Sequence, residues 1–486
     1  MTVVLKSRVD FHLENARRVG IDGENIEIAP EAKTRMAAAR QSFMAYLESD
    51  RTRFIYGTTS GAGQRANQTV PPTDQLKRAQ EGRRTAAGAG FGPEALPDRV
   101  VRMIIFARLA NYIEGHAKTR PVEAERIAAM LELPLPRVPI SGQLGAGEIL
   151  PLFHVMRDMP DGEVEEAEPM ARVNGSPVSA ALAADAALTG RNRLALAIKV
   201  FALSIEAYGA PLAPYDEALI GYSENPHEKR ALTALRSWLA KASRSGRLNH
   251  QAPVSWRILP TVLAAAEEAV AGLEEVAGIS LAAITDNPVY VLPDQAHPLG
   301  RVISTGGYHN AQVTPAIDTL NARFADLCTL GDRHTMKLHE AEHLPENLAR
   351  PGGQAWGTTL LSFVQVGYGE EARHAARRSF LPPSEGGAIG GQNDVATATI
   401  FAYQKHLKAA FCLEASLAIL AVSASQALWA RDVQPAPPLR EFLAAIRQQV
   451  APVESRGERR IGEELHGLQE RFAAAAIDGK LPYTKE

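Results

Sequence analysis

Six long segments of the chain carry apolar residues at three- and four-residue spacing, the period of an α-helix that buries one face. They are residues 100–116, 192–208, 261–275, 311–330, 358–378 and 398–429. Several are rich in alanine, which favours helix formation and close helix–helix approach. Strand-like runs are short, at residues 288–292 and 301–304. The pattern predicts a mostly α fold, with long central helices in a bundle and polar loops that carry the chemistry.

The composition excludes several classes of protein. A net charge of -3 over 486 residues provides no basic field of the kind that nucleic-acid binders carry. The only cysteines, Cys328 and Cys412, form no disulfide framework and no paired metal-ligand spacing. The N-terminal residues lack an apolar signal core, and the most apolar run, 415–429, is shorter than the roughly 20 residues of a membrane span. We therefore predict a buried core helix at 415–429, a cytoplasmic location, and neither a nucleic-acid nor a membrane partner.

The chain shows no linker between independent domains, no internal repeat and no low-complexity tract. Loops rich in glycine and proline are distributed along its length. We divide it only loosely, into an N-terminal part at 1–200 and a central and C-terminal helical part at 201–486.

One segment matches a metal-binding pattern. His339 and His343 lie in HEAEH, which has the HExxH outline of zinc proteases. The neighbouring residues supply no clear third ligand, and a charged helix end explains the pattern equally well. We predict that the protein has no metal site.

Residues 141–154 read SGQLGAGEILPLFH, and six further segments accompany this loop in a fixed order. They are YGTTSGAG at 56–63, RTAAG at 84–88, EPMARVNGS at 168–176, QAPVSWR at 251–257, TDNP at 285–288 and STGGYHN at 304–310. Their order and spacing resemble those of the histidine/phenylalanine ammonia-lyase and aminomutase family. The resemblance implies an ammonia-lyase-like fold, an amino-acid-like small-molecule substrate, and a homotetramer whose sites are each built from several subunits.

The loop at 141–154 departs from the family at its reactive residue. In the family, an Ala-Ser-Gly triad cyclises and dehydrates into an electrophilic methylidene-imidazolone (MIO) group. Here Gly145, Ala146 and Gly147 stand in that place, either aligned without a gap or with one residue deleted between Ala146 and Gly147. Alanine has no hydroxyl to lose, so both alignments predict a degenerate cofactor loop and no MIO.

The resemblance also implies roles for individual residues. Tyr56 corresponds to the general base, although a phenol of ordinary pKa about 10 needs a depressed pKa to act near neutrality. Arg257 corresponds to the group that binds the substrate carboxylate, a task that suits its planar fork. Asn174 corresponds to a residue that bonds near the prosthetic group or substrate, but it could also cap a helix that begins near Pro177. Gln251, Val254 and Tyr308 complete the predicted substrate-binding set.

Several departures indicate an altered pocket. Val254 replaces a second tyrosine, and Thr85 replaces a histidine. His309 occupies the place of a phenylalanine, and His374 aligns approximately with a glutamate that faces the substrate amine. Two histidines beside a tyrosine supply groups that titrate near pH 7, so we assign His309 and His374 to catalysis with Tyr56. Alternatively, His309 and His374 are ordinary packing or surface histidines.

General acid–base groups typically contribute about 10²–10⁴-fold to a rate, which is insufficient to deaminate a plain aromatic amino acid without the electrophile. The remaining groups suit a substrate that brings its own activation, such as a better leaving group or a more acidic carbon. The leading hypothesis is an MIO-independent lyase, cyclase or isomerase that acts on an activated amino-acid derivative. The alternative is a catalytically inactive homologue that serves in binding or assembly, and a serine mutant of an active lyase is disfavoured by the other departures.

Overall fold

The structure is a computed structural model that describes residues 2–81, 88–248, 251–350, 358–383, 393–454 and 459–480. These residues form two compact units, each built from separated stretches of chain. Unit 1 comprises 1–187, 273–317 and 379–404, and unit 2 comprises 188–272, 318–378 and 405–486.

Helices dominate both units. In chain order they are α1 (Leu13–Gly20), α2 (Pro30–Ser49), α3 (Pro72–Glu81), α4 (Asp98–Arg108), α5 (Ala110–Ile113), α6 (Pro121–Ala129), α7 (Ile149–Met156), α8 (Glu168–Val173), α9 (Pro177–Tyr208), α10 (Ala218–Tyr222), α11 (Pro226–Trp238), α12 (Val254–Arg257), α13 (Leu259–Leu281), α14 (Val313–Glu340), α15 (Leu361–Ala375), α16 (Thr399–Ala430), α17 (Arg440–Gln449) and α18 (Ile461–Asp478). The prediction of a mostly α fold with long helices is confirmed.

Each of the six predicted helical segments contains a helix, but their bounds differ. The segment at 192–208 is the second half of α9, which begins fifteen residues earlier at Pro177. The segment at 100–116 is broken between α4 and α5. Alanine favours helix even where the apolar periodicity is weak, so a helix can extend beyond the periodic segment. Apolar periodicity therefore locates a helix better than it locates the ends of that helix.

Four short strands form two small sheets in the described part of the chain. β3 (Val289–Val291) and β4 (Arg301–Ile303) pair antiparallel, with Tyr290 opposite Val302, and both fall within the predicted strand-like runs. β1 (Thr2–Leu5) and β2 (Asn25–Ile28) pair in parallel and were not predicted. Each of these strands has four residues with little apolar–polar alternation, so its two-residue period is too weak to be recognised in the sequence.

The core of unit 1 holds the loop that carries Tyr56. Phe43 and Leu47 of α2 pack with Ile55, Ala167 and Tyr290 in a single buried cluster. Phe43 and Tyr290 meet edge to face, with their ring centroids 5.5 Å apart. Because Ile55 is buried there, the backbone that precedes Tyr56 is fixed to α2 and β3.

The core of unit 2 is rich in alanine and includes buried ion pairs. Gly190 of α9 lies so close to Leu320 of α14 that an added Cβ would approach its side chain to 3.0 Å. Arg193 pairs with Glu414 at 2.8 Å, and Gln469 of α18 donates to the same carboxylate at 3.0 Å. Both charges are buried, and pairing offsets the desolvation penalty that either would suffer alone.

Helix α16 alone among the helices in the described ranges combines the length and hydropathy of a membrane span, and 83% of its apolar window is buried inside the protein. It contains the apolar run 415–429 and is therefore a core helix, as predicted.

Candidate active site

The tyrosine loop of unit 1 is a tight turn that presents Tyr56 partly exposed. The carbonyl of Ile55 accepts from the backbone N–H groups of Thr58 and Thr59 at 2.9 and 3.1 Å. Gly57 has a φ of +69°, and an added Cβ would lie 2.1 Å from the side chain of Met170. Glycine is thus required at this position. The Tyr56 hydroxyl accepts from the N–H of Gly63 at 3.1 Å, which orients the phenol within the loop.

The degenerate cofactor loop is held by one residue from a distant part of the sequence. The N–H of Thr397 donates to the carbonyl of Gly145 at 2.9 Å, and its hydroxyl donates to the carbonyl of Gly147 at 3.0 Å. The carbonyls on both sides of Ala146 therefore serve as ordinary hydrogen-bond acceptors. Gly147 has a φ of +70° and an added Cβ would lie 3.0 Å from the ring of Tyr308.

Glu148 follows the triad and caps the longest helix of the region. Its carboxylate accepts from the N–H groups of Val178 and Ser179, at 2.6 and 2.7 Å, in the first turn of α9. Two such bonds satisfy donors that a helix N-terminus leaves free. Burial nevertheless raises the pKa of Glu148 to about 7, although the bonds to Ser179 and Val178 act in the opposite direction.

Asn174 is embedded in a network of backbone contacts. Its side-chain amide donates to the carbonyl of Asn287 at 2.8 Å, and its own carbonyl accepts from the buried guanidinium of Arg108. Arg108 also pairs with the buried carboxylate of Asp286. Helix α9 does begin at Pro177, but Glu148 rather than Asn174 caps it. The capping interpretation of Asn174 is therefore wrong, and its amide links the segment 168–176 to the segment 285–288.

Tyr308 and His309 lie beside the loop that Thr397 holds. The ring of Tyr308 lies against Gly147, and His309 Nε2 is 3.2 Å from the carbonyl oxygen of Ala396. Both side chains are partly exposed. Unit 1 thus brings together the triad loop, Tyr308 and His309, and it also contains Tyr56 on a separate loop.

The segment 251–257 of unit 2 is fixed by Trp256. This side chain is fully buried and stacks on His334, with centroids 3.9 Å apart, and on Tyr208, with centroids 4.1 Å apart. Burial lowers the pKa of His334 to about 3, so the stacked imidazole is neutral. α12 is a single turn, and tertiary anchoring of this kind is what stabilises so short a helix.

The residues flanking Trp256 remain accessible. Gln251 and Val254 are exposed, and Arg257 is partly exposed. Arg257 Nε donates to the carbonyl of Ala252 at 3.0 Å, and within the described residues its two terminal nitrogens have no carboxylate within 4 Å. Such a guanidinium can still accept a carboxylate in a bidentate pair.

His374 lies in the last turn of α15 in unit 2 and is exposed. Its neighbour Glu370 pairs with Arg373 on the same exposed surface. Thr85, which stands for the family histidine, lies outside the described residues, as does Gln392.

The triad does not fit the MIO group. None of Gly145, Ala146 and Gly147 carries a hydroxyl that dehydration could remove, and both flanking carbonyls are engaged by Thr397.

The HEAEH segment lacks the geometry of the zinc motif. α14 ends at Glu340, so His343 lies beyond the helix, and its Nε2 donates to the carbonyl of Tyr208 at 2.8 Å. Across the described ranges, no three His, Cys, Asp or Glu side chains converge as metal ligands would.

Two contributors were missed in the sequence. Thr397 follows a segment at 392–394 that resembles the family's Asn-Gln-Glu-Asp run, but an isolated threonine gives no motif. Glu148 caps α9, a function that its place after the triad does not indicate. The acidic residue 30 positions before Val178 could have suggested the cap only once α9 was known to begin at Pro177.

Comparison with known proteins gives a consistent result. A histidine ammonia-lyase of Symbiobacterium thermophilum is 27% identical over 483 residues and covers 92% of either chain. Among solved structures, the ergothionase of Treponema denticola, an ergothioneine-degrading enzyme, has a TM-score of 0.87 at 17% identity, covering 99% of this chain and 100% of that one. The phenylalanine aminomutase of Pantoea agglomerans has a TM-score of 0.86 at 18% identity, covering 98% and 100%.

These structural likenesses establish the ammonia-lyase-like fold that the motifs predicted. The model of the aromatic amino acid lyase family matches residues 11–167 and 157–448, which is most of the sequence. The chain belongs to the aromatic amino acid lyase family.

Proposed function

We propose that this protein is an MIO-independent lyase, or a related cyclase or isomerase, that acts by acid–base chemistry on an activated amino-acid derivative. The observation that carries the proposal is the triad loop. Its residues have no hydroxyl, and its two outer carbonyls accept hydrogen bonds from Thr397. The loop has become a fixed structural element, while groups suited to proton transfer and carboxylate binding remain.

Arg257 is proposed to bind the substrate carboxylate. Its Nε is already used by Ala252, so the terminal nitrogens are the atoms left for a ligand. A bidentate pair would fix both the position and the orientation of the substrate. Gln251 and Val254 flank this group on the exposed side of the segment and are proposed to bind the substrate with it. Asn174 and Tyr308 are also proposed as substrate-binding residues.

Tyr56 is proposed to remove the proton β to the leaving group. Its hydroxyl accepts from the N–H of Gly63, which fixes the position of the phenol oxygen that would take the proton. His309 and His374 are the proposed proton-exchanging partners. In an elimination, the electron pair of the broken C–H bond forms the double bond, and the C–N bond breaks with loss of the amine.

The substrate must supply the activation that MIO supplies elsewhere in the family. A quaternary α-ammonium group meets this requirement because it departs as a neutral tertiary amine without protonation. Ergothioneine, the substrate named for the Treponema denticola enzyme, is a betaine of this kind. The likeness to the Treponema denticola enzyme establishes the fold alone, so ergothioneine is a probe and not an assigned substrate.

The decisive experiment is incubation of the protein in deuterated buffer with histidine, phenylalanine, tyrosine and ergothioneine, followed by NMR. We expect turnover or solvent-deuterium incorporation with an activated substrate and none with the three plain amino acids. Tyr56→Phe should abolish either signal, and the protein should show no MIO absorbance. Equal turnover of histidine and an activated analogue would contradict the proposal.

Two outcomes would separate the role of Tyr56 from the reaction class and from the inactive alternative. Full activity in Tyr56→Phe would overturn the assignment of the base while leaving the reaction class intact. Absence of exchange with every probe, in a protein that is folded and assembled, would favour the inactive binding homologue.

We further propose that the protein assembles as a homotetramer in the cytoplasm. The support lies at the start of α15, where the N-cap residue Leu360 forms an exposed apolar stripe at helical spacing with Phe363 and Val364. The side chain of Phe363 is 75% exposed. A contiguous apolar face of this kind is typical of an interface rather than of a hydrated surface.

A further inference from the structure

One peptide unit connects the degenerate loop to His309. The peptide between Ala396 and Thr397 is bound at both ends: its N–H donates to the carbonyl of Gly145 at 2.9 Å, and its carbonyl lies 3.2 Å from His309 Nε2. The three groups therefore form a continuous chain of hydrogen bonds within unit 1.

The direction of the bond at His309 fixes the position of its proton. A backbone carbonyl can only accept, so Nε2 must carry the hydrogen in this contact. In the neutral ring the other nitrogen, Nδ1, then holds the free electron pair. Nδ1 has no hydrogen-bond partner among the residues that the structure describes.

The hydrogen-bond chain is equally constrained at its other end, where Thr397 contacts the triad loop. Thr397 uses its hydroxyl to hold Gly147 at 3.0 Å, so the peptide 396–397 cannot rotate without breaking two contacts to the loop. The side chain of Thr397 is buried. Gly147 in turn contacts Tyr308, the residue before His309. The loop and the histidine segment therefore brace one another.

We infer that the triad loop has exchanged its chemical function for a positioning one: through Thr397 and the Ala396 carbonyl it holds His309 as the Nε2–H tautomer, so that His309 exchanges protons through Nδ1. The inference rests on the proposed function, in which His309 is a proton-exchanging group. His309 is the catalytic residue in this account, and Thr397 is a positioning residue.

The hydrogen-bond chain has a chemical consequence beyond orientation. Donation from Thr397 N–H to Gly145 polarises the peptide, which makes the Ala396 carbonyl a stronger acceptor. A stronger acceptor at Nε2–H holds this tautomer more firmly and leaves Nδ1 as the nitrogen that exchanges the proton. The same atom can then accept a proton in the forward direction and return it in the reverse.

The test is the tautomeric state of His309 in the ligand-free protein, read by magic-angle-spinning ¹⁵N NMR with ring-labelled histidine. The His309 signals are those absent from His309→Gln. We expect the wild type to show a protonated Nε2 and an unprotonated Nδ1 when the ring is neutral. A protonated Nδ1, or an equal mixture of tautomers, would overturn the inference whatever the catalytic outcome.

Variants of Thr397 test the positioning role. Thr397→Val keeps the shape and the backbone N–H but loses the hydroxyl, whereas Thr397→Ser keeps both donors. We expect a mixed tautomer population in Thr397→Val, a fall in kcat of about tenfold with little change in KM, and recovery of both in Thr397→Ser. A folded Thr397→Val with a wild-type tautomer signal and wild-type kcat would exclude the role of Thr397.

The proposed function and the tautomer of His309 can be refuted independently of each other. A protein with the expected tautomer but no reaction on any probe would refute the proposed function and leave the hydrogen-bond chain established. Turnover of an activated substrate with His309 protonated at Nδ1 would retain the function and refute the inference. If Thr397→Val does not fold, the tautomer of the wild type alone decides.

Discussion

A single backbone contact at Arg257 determines which of its atoms remain for a ligand. Its Nε is bound to Ala252, so the side chain is oriented before any substrate arrives, and its terminal nitrogens need no rearrangement to bind a carboxylate. Preorganisation of this kind reduces the entropy lost on binding.

We therefore predict that Arg257→Ala raises KM by about 10–100-fold, since hydrogen bonds to a charged group are worth about 1.5–3 kcal/mol. Arg257→Lys should recover only part of the loss, because a point charge cannot pair with both carboxylate oxygens. The measurement is steady-state kinetics on whichever probe the NMR screen identifies. Arg460→Ala, at a side chain 85% exposed, serves as control, and an equal effect there would refute the role of Arg257.

Glu148 is a second residue with a measurable signature. Burial raises its pKa to about 7 from an ordinary 4.5, so the native state binds this proton more tightly than the unfolded chain does. The contribution to stability is present below about pH 4.5 and is lost as the pH rises through about 7.

Glu148→Gln cannot titrate, so the free energy of unfolding of the variant should rise relative to the wild type, by about 2 kcal/mol, between pH 5 and pH 8. The loss of a cap contact adds a constant that does not depend on pH. Urea unfolding at several pH values gives the difference. A difference that stays flat across this range would show that the two N–H donors outweigh burial and keep Glu148 ionised.

At the scale of the element, the triad loop contains a matched pair of glycines. Gly147 has a φ of +70° and lies against Tyr308, whereas Gly145 has no positive φ and nothing within 4 Å of an added Cβ. Of the two, only the position of Gly147 requires glycine.

Gly147→Ala should therefore lower the free energy of unfolding by about 1–2 kcal/mol, the usual cost of a left-handed conformation for a residue with a Cβ. Gly145→Ala should be nearly neutral. Thermal unfolding of the two variants side by side tests this. Equal destabilisation would mean that the loop does not hold the conformation described.

The sequence predicted the elements better than the contacts between them. Apolar periodicity located the long helices, and the ordered motifs located the segments that carry Tyr56, Asn174 and Arg257. Thr397 was missed because its partner Gly147 lies 250 residues away, and no local pattern marks a threonine that bonds to a distant carbonyl. The four-residue strands β1 and β2 were missed because a strand of that length has almost no measurable period.

At the scale of the whole molecule, the apolar stripe on α15 predicts self-association. Phe363→Glu would place a charge in the proposed interface, where a buried unpaired carboxylate is strongly unfavourable. We expect the mass measured by light scattering to fall below that of a tetramer. Val9→Glu, at a side chain 80% exposed in unit 1, is the control and should leave the mass unchanged. An unaltered mass in Phe363→Glu would exclude this stripe as the interface.

The division of the chain into interleaved stretches also constrains its synthesis. Unit 1 draws on residues 1–187, 273–317 and 379–404, so it cannot be completed until more than four-fifths of the polypeptide has left the ribosome. At about 5–20 residues per second, the first 187 residues wait on the order of ten seconds or longer for their partners. Throughout that interval Phe43 of α2 lacks Tyr290, the later residue against which it packs edge to face. This interleaving makes the nascent chain a natural client for chaperones, and it makes any truncation before residue 404 a poor candidate for a stable fragment.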